Sequence, residues 1–127
     1  MKTISNIIDA LPTYQARLKN VIIENRDFES LIKTYDREKA VFYIDPPYVA
    51  SERYYNKKYV SFNNGDHIRL NAVLKAIKGR FILSYNDCDF IRNLYKDYNI
   101  RNISRHNLLP VTNENRAEFK EVIITNY

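Results

Sequence analysis

An acid, two prolines and an aromatic ring stand together at Asp45-Pro46-Pro47-Tyr48, directly after the apolar run Val41-Phe42-Tyr43-Ile44. Asp45 offers a carboxylate acceptor, and the Pro46 carbonyl adds a second acceptor close by. A planar amino group attached to a ring fits between two such acceptors, with the Tyr48 ring free to lie on that ring's face. The prolines make the platform stiff, because neither can donate to a sheet ladder and both hold φ at about −65°.

Such a platform needs a strand beneath it. Val41 to Ile44 reads as a buried strand that stops abruptly at its carboxyl end. In an open α/β sheet, ligands bind in the crevice outside the carboxyl ends of the strands, so Asp45 and Tyr48 are expected on a rigid ledge above that crevice. The rival reading of the tetrapeptide is a stiff strand-to-loop corner with no catalytic role.

The remaining elements are expected to form the sheet and its cover. Thr3 to Asn20 reads as a helix over one face of the sheet, with Ile4, Ile7, Ile8, Leu11 and Leu18 on its apolar stripe and Pro12 breaking or restarting it. Val21-Ile22-Ile23 is the first strand candidate, with Glu24 to Phe28 as the loop at its end. Asp27 suits the N-cap of a helix over Phe28 to Tyr35. Asp36 to Lys39 is a polar turn. Val49 to Gly65, rich in Tyr, Asn, Ser and Lys, has no consistent period, and loops of that length inside compact domains are usually functional or mobile.

Asp66 to Lys78 is the strongest helix, with Leu70, Val73, Leu74 and Ile77 as its apolar face, Asp66 as N-cap and Gly79 as a left-handed terminator. His67, a lone histidine in the first turn, is read as structural or solvated and is left out of the catalytic set. Arg80 to Ser84 reads as a buried strand, followed by a polar turn Tyr85-Asn86-Asp87 and a short helix from Cys88 to Tyr98. Ile100 to Leu109 and Phe119 to Tyr127, joined by polar residues, give a hairpin signal. The expected class is therefore α/β: a partial Rossmann-like sheet, mostly parallel, with an antiparallel C-terminal hairpin and helices on its faces.

Composition sets limits on all of this. At 127 residues the chain is one domain, 1–127, and its 45% hydrophobic and 28% charged shares exclude disordered and collagen-like classes. The sequence has no apolar run near the roughly 18 residues of a membrane helix and no signal-peptide layout, so a cytoplasmic location is expected. A single cysteine, Cys88, has no thiol partner for a disulfide or a thiolate metal site, and no metal is expected. The net charge of +5 and pI near 9.3 favour a polyanionic partner only weakly. Eleven tyrosines sharpen this, since several lie among cations in Arg53-Tyr54-Tyr55-Asn56-Lys57-Lys58-Tyr59. Rings between cations suit stacked bases and phosphates, and they suit equally well tyrosines packed on a sheet with hydroxyls in water.

Asp45-Pro46-Pro47-Tyr48 also resembles the D-P-P-Y signature of enzymes that methylate the exocyclic amine of adenine in DNA with S-adenosylmethionine. Related tetrapeptides occur in RNA guanine and protein glutamine methyltransferases. The surroundings narrow the choice. Asp66-His67-Ile68-Arg69-Leu70, Phe81-Ile82-Leu83-Ser84-Tyr85-Asn86-Asp87, Leu94-Tyr95 and Glu121-Val122-Ile123-Ile124-Thr125-Asn126-Tyr127 follow in the order found in the C-terminal part of Dam-like DNA adenine methylases, including phage-type members.

The resemblance implies catalytic parts for Asp45, Pro46 and Tyr48, and contact of Pro47 and Tyr48 with the target base. It also implies an S-adenosylmethionine site that includes Asp27, Phe28 and Asp45, and DNA as partner. Tyr55, Lys57 and Lys58 are expected to touch DNA. The chain departs from the family in having two glycines, Gly65 and Gly79, and no glycine-rich turn of the kind that cradles the cofactor. The resemblance thus implies that the first two strands and the target-recognition segment are absent. The expected partners are then a complementing N-terminal half or a second copy bound at an exposed sheet edge, and the alternative function is that of a non-catalytic remnant or DNA-binding module.

Overall fold

A computed structural model describes residues 4–49, 62–105 and 119–127. Its order is α1 (Ile4–Leu18), α2 (Phe28–Tyr35), β1 (Val41–Ile44), α3 (Asn64–Lys75), β2 (Arg80–Asn86), α4 (Asp89–Leu94), β3 (Asn99–Arg105) and β4 (Phe119–Thr125). The four strands form one sheet in the order β1-β2-β4-β3. β1 and β2 are parallel, whereas β4 runs antiparallel to both β2 and β3. This is the expected partial Rossmann-like α/β sheet with its C-terminal hairpin. Among the described strands only the pair that carries the tetrapeptide is parallel.

Alternation along the strands decides where the core lies. Phe42, Ile44, Phe81, Leu83, Tyr85, Val122 and Ile124 share one face by register, and they pack with Ile32 of α2, Leu70 and Leu74 of α3 and Ile91 of α4 in one cluster. The opposite face carries Val41, Tyr43, Ile82, Ile123 and Ile103. Here burial is incomplete, with Val41 63% and Tyr43 69% exposed. β1 was expected to be a buried strand; as the sheet's outermost described strand it alternates exposed and half-buried positions instead.

Two side chains close the chain turns beneath the sheet. The Asp36 carboxylate accepts from the backbone N–H groups of Lys78 and Gly79 at 2.9 to 3.0 Å, tying the turn before β1 to the turn before β2. The Asn126 amide pairs with β2 where β4 ends, accepting from Phe81 N and donating to Gly79 O, both at 3.0 Å. Gly79 lies where these bonds meet. It does not end α3 in a left-handed conformation as expected, since the helix stops at Ala76 in right-handed geometry. Glycine is required for close approach instead, because a Cβ would stand 2.7 Å from Ala40 O and 3.0 Å from Arg37 O.

The N-terminal expectations change most. α1 runs through Pro12 without a break. The carbonyl that loses its donor is that of Ile8, an exposed residue, so water can take the place of the missing bond. Ile8, Leu11, Tyr14 and Leu18 remain exposed, and α1 therefore does not cover a face of the described sheet. Val21-Ile22-Ile23 is not a strand, and Ile23 is 86% exposed. β-branched residues favour a strand only where a neighbour offers a ladder, and no described strand does so there.

Candidate active site

Asp45 to Val49 leave the carboxyl end of β1 beside β2, which continues past it. The parallel ladder runs from Val41↔Arg80 to Ile44↔Leu83, and β2 then extends through Ser84, Tyr85 and Asn86. Asp45 is exposed, while Pro46, Pro47, Tyr48 and Val49 are half-buried. Ser84 Oγ donates to Asp45 Oδ1 at 2.7 Å, with Ile44 O more distant at 3.4 Å. The Asn86 amide both accepts from Val49 N at 3.0 Å and donates to Val49 O at 3.2 Å. Tyr48 meets the ring of Tyr85 at 6.3 Å between centroids. Among the described residues Asp45 takes part in no salt bridge.

Tyr85 is the fixed point of this arrangement. It was expected in a polar turn, but it belongs to β2 and is fully buried, because strand alternation puts it on the core face. Its hydroxyl lies 2.7 Å from His67 Nδ1, and burial pushes that hydroxyl well above the usual tyrosine range. His67 is itself buried, with Phe62 and Phe90 packed edge-on against its ring. Of the two parts expected of His67, structural or solvated, this burial agrees with the first and excludes the second.

A second constellation forms where α2 meets α3. Asp27 caps α2, accepting from Glu29 N at 3.1 Å. Arg69 of α3 donates to both Asp27 oxygens at 3.0 and 2.9 Å, and to Glu29 and Asp66 at 3.2 Å. Its guanidinium also covers one face of Phe28 at 4.1 Å from the ring centroid. The hydrogen bonds from Arg69, aided by its charge, hold the Asp27 carboxyl below the usual carboxylate range, and the bonds to Asp27, Asp66 and Glu29 hold the guanidinium above its own. Even so, the Asp27 side chain remains 50% exposed.

The structure thus brings Asp45, Pro46, Pro47 and Tyr48 onto one ledge and sets Asp27 and Phe28 at the start of α2. Tyr55, Lys57 and Lys58 lie outside the described residues. Sequence reasoning missed Ser84 and Asn86 as supports of the ledge and Arg69 as partner of Asp27. One signal was available, since a serine inside a buried strand requires a hydrogen-bond partner. Among the described residues no group of three or more His, Cys, Asp or Glu side chains is placed to hold a metal ion, and no helix is long and apolar enough to cross a membrane.

Residues 5–107 match the family model of D12 class N6 adenine-specific DNA methyltransferases. The chain is also 33% identical over 85 residues to the Type II methyltransferase M.CviBI of Paramecium bursaria Chlorella virus NC1A, covering 67% of this chain and 32% of that protein. It is 30% identical over 114 residues to the Type II methyltransferase M1.LlaDCHI of Lactococcus lactis subsp. cremoris, covering 85% of this chain and 40% of that one. The chain therefore spans well under half the length of these relatives. With the tetrapeptide displayed at the end of a parallel strand and most of the sequence inside the matched region, the chain belongs to the D12 class N6 adenine-specific DNA methyltransferase family.

Proposed function

We propose that this chain is the segment of an S-adenosylmethionine-dependent enzyme that grips the N6 amine of an adenine in DNA during methyl transfer. It resembles the C-terminal, catalytic part of a Dam-like, phage-type methylase and acts fully only with a complementing half. The observation that carries the reading is the exposure of Asp45 at the carboxyl end of β1, outside any described salt bridge, in a chain of this family.

The amine of adenine shares its lone pair with the ring and is a poor nucleophile. Asp45 and the Pro46 carbonyl accept its two hydrogens and favour departure from planarity as charge develops. The base reaches this ledge only when rotated out of the duplex, which costs a few kcal/mol, roughly. Stacking on Tyr48, backed by Pro47, returns about 1 to 3 kcal/mol of that cost. S-adenosylmethionine, when bound, supplies the electrophilic methyl. Asp27 retains exposure and acceptor capacity for the cofactor's adenine amine beside Phe28, and Asp45 borders the same space. One face of Phe28 is taken by Arg69 and the half-buried ring also meets Phe62 at 5.8 Å between centroids, so only its remaining exposed rim is offered to that contact. Tyr55, Lys57 and Lys58 serve the DNA backbone in this reading.

A second reading, a self-associating module without catalysis, is favoured by the exposed Val41 and Tyr43 of β1. The discriminating experiment is transfer of labelled methyl to adenine-containing DNA, by the chain alone and by the chain mixed with the part of M1.LlaDCHI that it does not match. Activity that appears on mixing and is lost with Asp45→Ala supports methylation. Activity equal in the wild type and Asp45→Ala, or none on mixing, favours the second reading.

A further inference from the structure

We infer that Ser84, Tyr85 and Asn86 are positioning residues that template the ledge, and that Ser84 sets its discrimination for an exocyclic amine. This rests on the amine-gripping reading above. The physical problem is that Pro46 and Pro47 carry no N–H, so the β1–β2 ladder cannot continue beyond Ile44↔Leu83 by backbone bonds. Side chains of β2 complete it. Ser84 reaches Asp45 at 2.7 Å, and Asn86 makes both bonds to the Val49 backbone that a neighbouring strand would have made. From the opposite face, Tyr85 supports the Tyr48 ring, with its own hydroxyl held at His67.

Ser84 differs from the other two in what it touches. Its hydroxyl has one proton, and the short bond directs it to Asp45 Oδ1 rather than to the Ile44 carbonyl at 3.4 Å. With Ser84 nearly fully buried, that bond fixes the torsion of an exposed carboxylate and occupies one of its oxygens. The other oxygen is left to accept from the target amine. Loss of the hydroxyl lets the carboxylate rotate, which weakens recognition of the amine and leaves contacts with the rest of the base in place.

The test uses the 127-residue chain mixed with the part of M1.LlaDCHI that it does not match, and two fluorescent single-stranded oligonucleotides, one with a single adenine and one with purine, which lacks the amine, at that position. Anisotropy gives both affinities. The wild type is expected to prefer adenine by about tenfold or more, the worth of one charge-assisted hydrogen bond. Ser84→Ala is expected to lose most of that preference at unchanged purine affinity, and Ser84→Thr to keep it. Asn86→Ala is expected to weaken both affinities together and to speed hydrogen exchange at the Val49 amide, which Ser84→Ala leaves protected. A preference that vanishes in Asp45→Asn yet survives in Ser84→Ala overturns this inference alone. A wild type without any preference for adenine overturns the amine-gripping reading, and this inference with it.

Discussion

The hydroxyls of Tyr85 and Tyr95 are both buried in the same aromatic cluster, with ring centroids 6.1 Å apart, yet they differ in what they touch. Tyr85 bonds to His67 Nδ1, whereas the Tyr95 hydroxyl has no hydrogen-bond partner among the described residues. Removing a paired buried group costs about 1 to 3 kcal/mol, and removing an unpaired one relieves its desolvation. Urea unfolding should therefore find Tyr85→Phe clearly destabilised and Tyr95→Phe neutral or stabilised. Burial raises both hydroxyls above their usual range, so each stays protonated in the fold after the unfolded tyrosine has begun to ionise. Their contribution is complete below an unfolded pKa of about 10 and falls as pH rises beyond it. The alkaline loss of stability should be shallower in Tyr85→Phe than in the wild type. At this scale the placing of Asp45 to Tyr48 just past the carboxyl end of β1 was legible in the sequence, because an apolar run stopped by two prolines is a local signal. Ser84 and Asn86 were not, because their partners lie 39 and 37 positions away and are fixed only by strand register.

Between elements, the contact that sets α2 against α3 is a cation shared by three carboxylates. Arg69 joins the cap of α2 to the first turn of α3, where Asn63 and Asp66 form a capping box. Arg69 lowers the pKa of Asp27 and, after Lys33, that of Glu29, so the carboxylates lose their native advantage when protonated. That stabilisation is present above the unfolded carboxylate values of about 4 and disappears as pH falls through the lower folded ones. Melting curves in Arg69→Gln should accordingly show a smaller drop in Tm on acidification than the wild type. Gly79 gives a test of backbone approach. Gly79→Ala drives a Cβ into the carbonyls of Ala40 and Arg37, which are backbone atoms that cannot swing aside, at an expected cost of about 1 to 3 kcal/mol by denaturant unfolding. The helix over Phe28 to Tyr35 and the C-terminal hairpin were legible because cap and alternation are local signals. The start of α3 was misplaced since Asp66 is a plausible cap by itself, and only the bond from Asn63 N to its carboxylate shows that it reaches back to the true one. Val21-Ile22-Ile23 misled for a related reason: strand propensity says nothing about whether a partner strand is there.

For the molecule as a whole, the decisive asymmetry is a sheet buried on one face and only partly covered on the other. On that second face Ser84 is buried, Ile82 and Ile123 are half-buried and the apolar side chains of β1 are the most exposed. All-parallel sheets are covered on both faces, whereas in this mixed sheet β1, half of the one parallel pair described, is the outermost described strand and leaves Val41 and Tyr43 in solvent. Nearby in sequence, Ile8, Leu11, Leu18, Ile22 and Ile23 are also exposed. A surface of this kind calls for cover, and the relatives are more than twice as long as the stretch they share with this chain. In the methylation reading the cover is the complementing half, and its docking completes the space in front of Asp45. Charges on the bare face should block docking without harming the fold, since exposed substitutions away from special features stay within about 0.5 kcal/mol. The double change Val41→Glu with Tyr43→Glu is thus expected to leave the unfolding curve of the chain in place and to abolish recovery of methyl transfer on mixing. Light scattering on the same pair of proteins reads the competing occupant. If the wild-type chain self-associates and the double variant is monomeric, while recovered methyl transfer is equal in both, then the bare face belongs to a second copy and not to the complementing half.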